Sequence, residues 1–536
     1  MAADVAALTR RLGQLKSDRQ QHEPTWQECF DFSLPKRGIG LNGGSTTDPA
    51  GQAATKRAEL LDGTATDGVT TLAAAIVGGT TPASARWFEI EIEGADDAGK
   101  QWADAEATAL HADIHGSNYD SIAAEAAQDI VCAGWMPLFI DAKPGAGLVF
   151  DEWPLHQCYI ASSQPGGPVD TIFREYTQTA EQCVAQYGAK VSAAVSKAAA
   201  EHPDKPITLL RAIYPRANGQ DGARLAMGLP FASVTFEVES KLLLRESGYH
   251  EFPVIVPRWS LLPGSVYATG RMLDALPDEK ELCELKRMEK QAAALNILPP
   301  FKATDDGVLN VGSIKRLQSG RLYAVADMDN IQPITTGANM QLAVSDEERL
   351  QRAIRRILMA DQLQPADGPA MTATEVHARV ALIRQMLGPI YGRLQAEWLA
   401  PMVIRCFMLK FRAGGMAPPP DSIAGKPFTV KFIGPNARAQ RLEDVTAMDR
   451  HETGLIGIAT ATGKVEILDQ YDWDEAARTK AELLGVPRKL IPDARDVAKV
   501  RAARAQAQAE QQQQAMAQQA QTTMIDAAGK RMAAAT

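Results

Sequence analysis

No two cysteines in this chain have the C-x-x-C spacing of a metal or redox motif. The six present (Cys29, Cys132, Cys158, Cys183, Cys283 and Cys406) are scattered, so neither a zinc site nor a disulfide framework is expected, and they read as small buried hydrophobes. Also missing is any run of the roughly 18 to 20 uncharged apolar residues that a membrane helix needs. The N-terminus lacks the apolar core of a signal peptide after its basic residues. A chain that stays in the cytosol, with no membrane insertion, is the expectation. There is no long Lys/Arg block and the formal net charge is −9, which argues against gripping nucleic acid by neutralising many phosphates. Finally, no G-x-S-x-G, H-E-x-x-H or Cys/His nucleophile arrangement appears, so no catalytic residue, metal or cofactor is expected.

What is present is a large chain. Its 536 residues exceed the roughly 250 to 300 at which a single core stops growing, so several parts are expected. Hydrophobic residues at 45% and charged residues at 23% fit a globular protein and exclude global disorder.

Three near-motifs are weak in context. Gly38, Gly40 and Gly43 spell G-x-G-x-x-G, but they follow Pro35-Lys36-Arg37 where a strand should end, so a loop is expected. Gly457 stands one residue too far from Gly463-Lys464 for a phosphate loop, and Val465 replaces the magnesium-binding Ser/Thr. His111 and His115, one helical turn apart, lack a third ligand at an obvious spacing, so a solvated helix face is expected.

Along the chain, residues 4 to 33 read as one helix with Leu8, Leu12 and Leu15 on one side, followed by a Gly-rich loop from Gly38 to Gly51 and a helical run over about 53 to 78. WFEIEIE (87–93) alternates like a strand with one wet face, and helices follow at about 98–116 and 119–133. Between Leu138 and Ser260, LFID, LVFDEW, DTIFREY, ITLLRAIY, SVTFEVES and KLLLRES read as strands. From Pro277 the character becomes helical, with Leu282, Leu285, Met288, Ala292 and Leu295 near one face of a charged helix that Pro299 and Pro300 stop. Residues 301–340 return to turn-and-strand composition. Ser345 and Glu348 then have the spacing of a capping box opening a second helix. Thr372 and Glu375 make a third such box, and Val376, Val380, Ile383, Leu387, Ile390 and Leu394 recur at heptad-like steps that line one helix face for packing. Pro389 should bend that helix near Gly388 and Gly392. Glu397 falls outside the stripe, and acidic substitution there is expected to matter much less to assembly than Leu387→Asp. KPFTVKFIG (426–434) reads as a strand, helices follow between about 437 and 485, and the Ala/Gln-rich tail has high helix propensity with almost no apolar face.

The stretches MTATEVHAR (371–379) and LGPIYGRLQAEWLAP (387–401) resemble the portal, or head-to-tail connector, proteins of short-tailed double-stranded DNA bacteriophages. So do LDGTATDGVTTLAAAIVGGTTPASARWFEI (61–90), GPVDTIFREYTQTAEQCVAQYG (167–188) and residues 252–301, in the same order. The resemblance implies an α+β, predominantly α, elongated subunit of wing, stem, clip and crown that forms a ring of about twelve copies around an axial channel. It implies a wing over 1–266, a first stem helix over 267–298, a clip over 299–342 and a second stem helix over 343–361. A tunnel loop would follow over 362–371, a long kinked helix over 372–412, a linker and wing strand over 413–436, crown helices over 437–490 and a helical tail, barrel or disordered, over 491–536. Implied partners are double-stranded DNA in transit and held non-specifically, terminase, a tail adaptor, and the major capsid and scaffold proteins. The implied location is the portal vertex of the virion, after assembly in the host cytoplasm.

On that reading Gln362, Gln364, Pro365, Asp367 and Gly368 would line the channel. Lys286, Lys290, Arg349, Arg352 and Arg356 would be channel or intersubunit charges. Pairing with Asp278, Glu279, Glu281, Glu284 and Glu289 on the neighbouring helix is the favoured alternative for them, because mixed-charge helix faces usually pair or face solvent. Two other functions stay open: a phage nucleotide-dependent transferase using the 457–465 loop, and a non-portal structural or scaffold protein.

Overall fold

Proline positions divide the N-terminal segment differently from the sequence reading. In the computed structural model α1 (Val5–Gln20) is capped by Asp4, whose carboxylate accepts from the backbone N–H groups of Ala6 and Ala7 at 3.0 and 3.1 Å. It ends at Gln20, and α2 (Glu23–Asp31) starts afresh with Pro24 in its first turn. One continuous helix over 4–33 is excluded because the Pro24 ring would clash with the Gln20 carbonyl and leave it without a donor. The expected run over 53–78 is likewise two helices, α3 (Pro49–Glu59) and α4 (Thr64–Thr80). Leu60 is extended between them, and the Asp62 carboxylate accepts from the Thr64 N–H at 2.7 Å.

The described residues are 4–44, 48–143, 145, 147–219, 225–297, 301–303, 331–333, 340–363, 388, 390–423, 425–432, 435–484, 486, 490–491 and 497–514. They fall into two compact units, one of 1–85 with 110–415 and one of 86–109 with 416–536. In chain order β1 (Phe88–Ile92), α5 (Asp97–His115) and α6 (Tyr119–Ala133) come next, as expected. The β-rich stretch then supplies β2 (Leu138–Lys143), β3 (Gly147–Glu152), β4 (Cys158–Ala161), β5 (Thr171–Thr179), α7 (Ala180–Tyr187), α8 (Ala193–Glu201), β6 (Pro206–Pro215), β7 (Phe231–Glu237), β8 (Leu243–Tyr249) and β9 (Val254–Ile255).

Strands β4 to β8 form an antiparallel sheet in sequence order, and β3, β2 and β9 form a second, three-stranded one. Side chains alternate across a strand, so neighbours such as Leu209 and Leu210 serve opposite faces. Leu210, Phe173, Val234 and Phe236 pack under Leu8, Leu12 and Leu15 of α1. Leu209 joins Cys183 of α7, Val195 of α8 and Leu244 of β8. The Leu8/Leu12/Leu15 stripe therefore does what its spacing suggested. Helices α7 and α8 were not expected, although α7 carries a capping box in which Thr179 and Gln182 satisfy each other's backbone N–H at 3.2 Å.

After the short pair β10 (Ser260–Leu261) and β11 (Ala268–Thr269) comes α9 (Met272–Ile297), which begins upstream of Pro277 and carries that proline within it. Pro277 falls in its second turn, where it has no N–H for the Leu273 carbonyl and its ring crowds that oxygen. The antiparallel pair β12 (Phe301–Ala303) and β13 (Ile331–Pro333) follows, then α10 (Met340–Ile357). Ser345 and Glu348 lie inside α10 and do not open it. Gln341, Leu342 and Ala343 are good helix formers, so the helix extends back past the apparent cap.

The second unit pairs β1 with β14 (Phe428–Phe432) in the register Phe88↔Phe432 and Ile90↔Val430, and Trp102 Nε1 donates to the Ala417 carbonyl at 2.9 Å. Two helices, Pro435–Thr462 and Trp473–Leu483, are tied by Lys480, whose ammonium reaches Asp449 and Glu452 at 2.5 Å each.

Candidate functional site

Helices α9 and α10 run antiparallel, which follows from which residues they bring together. Arg271, just before α9, donates through Nε to the Ile357 carbonyl at the end of α10 at 2.9 Å. Further along, Arg349 reaches Glu281 at 3.3 Å and Lys286 reaches Glu347 at 2.7 Å. Leu282 and Cys283 of α9 and Leu350 and Ile354 of α10 are buried. Close approach of α4 helps to hold the pair, since a Cβ at Gly68 would lie 2.6 Å from Leu358 Cδ1. Of the apolar face read on α9, only Leu282 is fully buried; Leu285 and Ala292 are half-buried, and Met288 and Leu295 are exposed.

One cation serves several carboxylates at the centre of this pair. Lys286 Nζ lies 3.0 Å from Asp62 and 2.7 Å from Glu347; burial opposes its charge, but those two partners raise its pKa. Glu279 is fully buried, its Oε1 accepts from the Cys283 thiol at 3.6 Å and its Oε2 has no hydrogen-bond partner. Burial, together with the nearby Asp62 charge, pushes its carboxyl up to about 7. Arg349 pairs with Glu281 and Asp346 in the open. Arg352 Nε donates to the Glu348 carbonyl of its own helix at 3.1 Å. Lys290, Arg352 and Arg356 are exposed and form no ion pair among the described residues.

Gln362 sits in a short helical turn, Ala360–Leu363. The other loop residues, Gln364, Pro365, Asp367 and Gly368, and the stripe residues Val376, Val380, Ile383 and Leu387, lie outside the described residues. Ile390 is half-buried and Leu394 fully buried. Within 390–412 the helix is distorted over Gln395–Leu399, a π turn in which the Ala400 N–H reaches back to the Gln395 carbonyl. Pro401 follows directly; it has no N–H for the Glu397 carbonyl, and a widened turn relieves the clash of its ring. The sequence reading singled out Pro389 and passed over Pro401.

Glu397, outside the stripe, has a partner within the subunit. Its carboxylate takes both Nε and Nη2 of Arg258, at 3.0 and 2.8 Å. Arg258 is itself buried and donates to the Gly167 and Val266 carbonyls. Position 397 is therefore constrained by a residue far away in sequence, which helix periodicity could not show. Downstream, Arg405 and Arg412 clamp Glu251 at 3.0 and 2.6 Å. Against the penalty of burial, these partners hold Glu251 below the usual carboxylate range.

The weak motifs acquire ordinary explanations. Gly38, Gly40 and Gly43 lie in turns and short 3-10 segments. Gly457 is inside the helix Pro435–Thr462, and Gly463 and Lys464 come just after its C-terminus, the end whose dipole repels phosphate. His115 is not solvated: its ring meets Asp120 at 2.7 Å, and its centroid lies 4.5 Å from that of His111. Among the described residues no group of three His, Cys, Asp or Glu could hold a metal ion, and no helix is long and apolar enough to cross a membrane. All six cysteines are free and buried.

Residues 5–491 match the family described as bacteriophage head to tail connecting protein. The chain belongs to this family, the phage portal proteins. It is 28% identical over 516 residues to the probable portal protein of Bordetella phage BPP-1, covering 93% of this chain and 90% of the relative. To the portal protein of Salmonella phage epsilon15 it is 27% identical over 538 residues, covering 96% and 94%. A solved chain described as the neck of an empty GTA particle computed with C6 symmetry aligns with 78% of this chain and 95% of its own at 12% identity, with a TM-score of 0.33. The portal family is structural and not enzymatic, and its place is the head–tail junction of the virion.

Proposed function

We propose that the chain is one subunit of a closed ring at the head–tail junction, and that the double-stranded genome is packaged and ejected through the hole in that ring. The observation that carries this reading is the antiparallel pair α9 and α10 with the β12–β13 pair between them in sequence, in a chain matched to the connector family over nearly all its length. That order fits stem, clip and stem, with 267–298 and 343–361 as stem helices and 299–342 as the clip. Residues 362–371 would form the tunnel loop, 437–490 the crown, and 1–266 with the 413–436 strand the wing. A heterologous contact repeated by rotation closes into a ring, and an acidic chain lets DNA slide where a strongly cationic wall would hold it. Terminase, then a tail adaptor, are the partners this role requires.

The transferase alternative loses its basis because Lys464 follows the C-terminus of a helix and not a phosphate-binding N-terminus. The test is negative-stain microscopy and mass measurement of the purified full-length chain. Closed rings with a central hole are expected. A strictly monomeric mass at micromolar concentration, with no rings on addition of scaffold protein, would overturn the ring.

A further inference from the structure

Apolar contacts within the subunit account for only one side of the α9–α10 pair. By helical periodicity, the arc of α9 that points away from its buried residues carries Asp274, Glu281, Glu284, Met288 and Leu295, all exposed. The corresponding arc of α10 carries Ser345, Glu348, Arg352 and Arg356, also exposed, with Val344 beside them 51% exposed. Met288 and Leu295 are 55% and 43% exposed, on a helix whose other side is already packed.

The charges on these arcs are ordered by level. The contacts Arg271–Ile357 and Arg349–Glu281 place α9 residues 274–281 alongside α10 residues 349–356. At that level α9 is acidic and α10 basic. The Lys286–Glu347 pair marks the next level, where Met288 of α9 and Val344 of α10 provide apolar surface. The acidic residues on the outer arc of α9 have only exposed partners: Asp274 with Arg271 and Glu284 with Arg287, each three residues apart, and Glu281 with Arg349 of α10. Exposed pairs of this kind are worth little and exchange readily.

We propose that the outer arc of α10 docks on the outer arc of α9 in a second copy of this chain, with Arg352 and Arg356 against Asp274 and Glu281, and Val344 against Met288. This rests on the ring reading above and assigns the charges to the contact between copies, not to DNA. Two copies pointing the same way set Arg352 and Arg356 against Asp274 and Glu281 and Val344 against Met288, with Glu348 and Glu284 as like charges between these two levels. Placing α9 against α9, or α10 against α10, in that orientation sets like charges together, which is costly. The pattern therefore selects a head-to-tail contact, the kind that closes into rings.

The experiment uses full-length protein and reads the ring fraction by mass photometry near physiological salt. One variant carries Arg352→Glu and Arg356→Glu, making both arcs acidic; the other carries Asp274→Lys and Glu281→Lys, making both basic. Each alone should lower the ring fraction by roughly tenfold or more, with unchanged circular dichroism because all four positions are exposed. Mixing the two should restore rings, in which the variants alternate. Rescue on mixing cannot come from pairing inside one subunit. Normal ring formation by either variant alone, with or without a defect in DNA packaging, overturns the proposal, as does failure of the mixture to recover. If the unaltered chain forms no rings, the ring reading itself fails, a separate result.

Discussion

The five-stranded sheet and the α9–α10 pair solve the problem of stability in opposite ways. In the sheet both faces are covered: α1 closes one and α7 with α8 the other, and Leu209, Leu210, Ala212 and Val234 are all fully buried. In the helix pair one seam is apolar, around Leu282, Leu350 and Ile354, the polar contacts between the helices are ion pairs and hydrogen bonds, and Met288, Leu295 and Ile297 stay in the open. The sheet completes its core within one subunit. The helix pair does not, and a contact surface left incomplete in a lone subunit is one that assembly can use.

The sharpest way to break this contrast is to damage the sheet. Phe236 is 1% exposed beneath α1, so Phe236→Ala should destabilise the subunit by about 3–5 kcal/mol through lost burial and the cavity left behind. Denaturant unfolding of the monomer checks this. A loss below about 1 kcal/mol would mean that the α1 face collapses freely and is no firmer than the helix pair.

Somewhat smaller is the effect expected at the base of the long helix. Arg258→Ala removes a buried guanidinium that holds both oxygens of Glu397, and should cost about 3 kcal/mol because a half-buried carboxylate loses its partner. Amide hydrogen exchange over 390–400 should rise with it, since the π turn loses its anchor. Exchange left at the wild-type rate would show that Pro401 and packing alone hold the turn.

How much of this was legible beforehand depends on the range over which the signal acts. Alternation announced β1, β-rich runs announced β5 to β8 but not the edge strand β4 (Cys158–Ala161), and the spacing of Leu8, Leu12 and Leu15 announced the covering helix, because these signals follow from geometry over a few residues. The sequence reading passes over the breaks at Pro24 and Leu60, although Pro24 and the Asp62-Gly63 pair are local signals for them. The start of α10 was misplaced for the converse reason, since a cap marks where a helix can begin and not where it must. Least legible were the long-range pairs. Glu397 looked like a surface residue because its partner Arg258 lies 139 positions away, and nothing in the sequence around Glu279 reveals that it is buried near Asp62.

Glu279 gives the next test. Its carboxyl is raised from 4.5 to about 7 by burial and by Asp62, while Lys286, the facing cation, is held by Asp62 and by Glu347 from α10. A raised folded pKa means that the folded state binds the proton more tightly, so this group's contribution is fully present below about pH 4.5 and is lost as pH rises through about 7. Glu279→Gln, which keeps the shape without the charge, should remove that loss, on the order of 2 kcal/mol at pH 8, and flatten stability between pH 5 and 8. Parallel pH profiles for the variant and the wild type would show that Glu279 is ionised throughout that range.

The smallest effect on the lone subunit should come from the outer arc. Leu295 is 43% exposed on α9, so Leu295→Gln removes little packing and should change monomer stability by less than about 0.5 kcal/mol, as surface substitutions usually do. If the helix pair is completed by a neighbouring copy, the same change should weaken assembly, because in the ring that side chain would leave water and a glutamine there would lose its hydration without gaining a partner. The two readouts must therefore separate: unfolding of the monomer nearly unchanged, ring fraction reduced. Equal and large losses in both would mean that Leu295 already packs within its own subunit. No loss in either would mean that this side of α9 faces solvent even in the ring, and the contrast between a finished sheet and an unfinished helix pair would not extend to this level of α9.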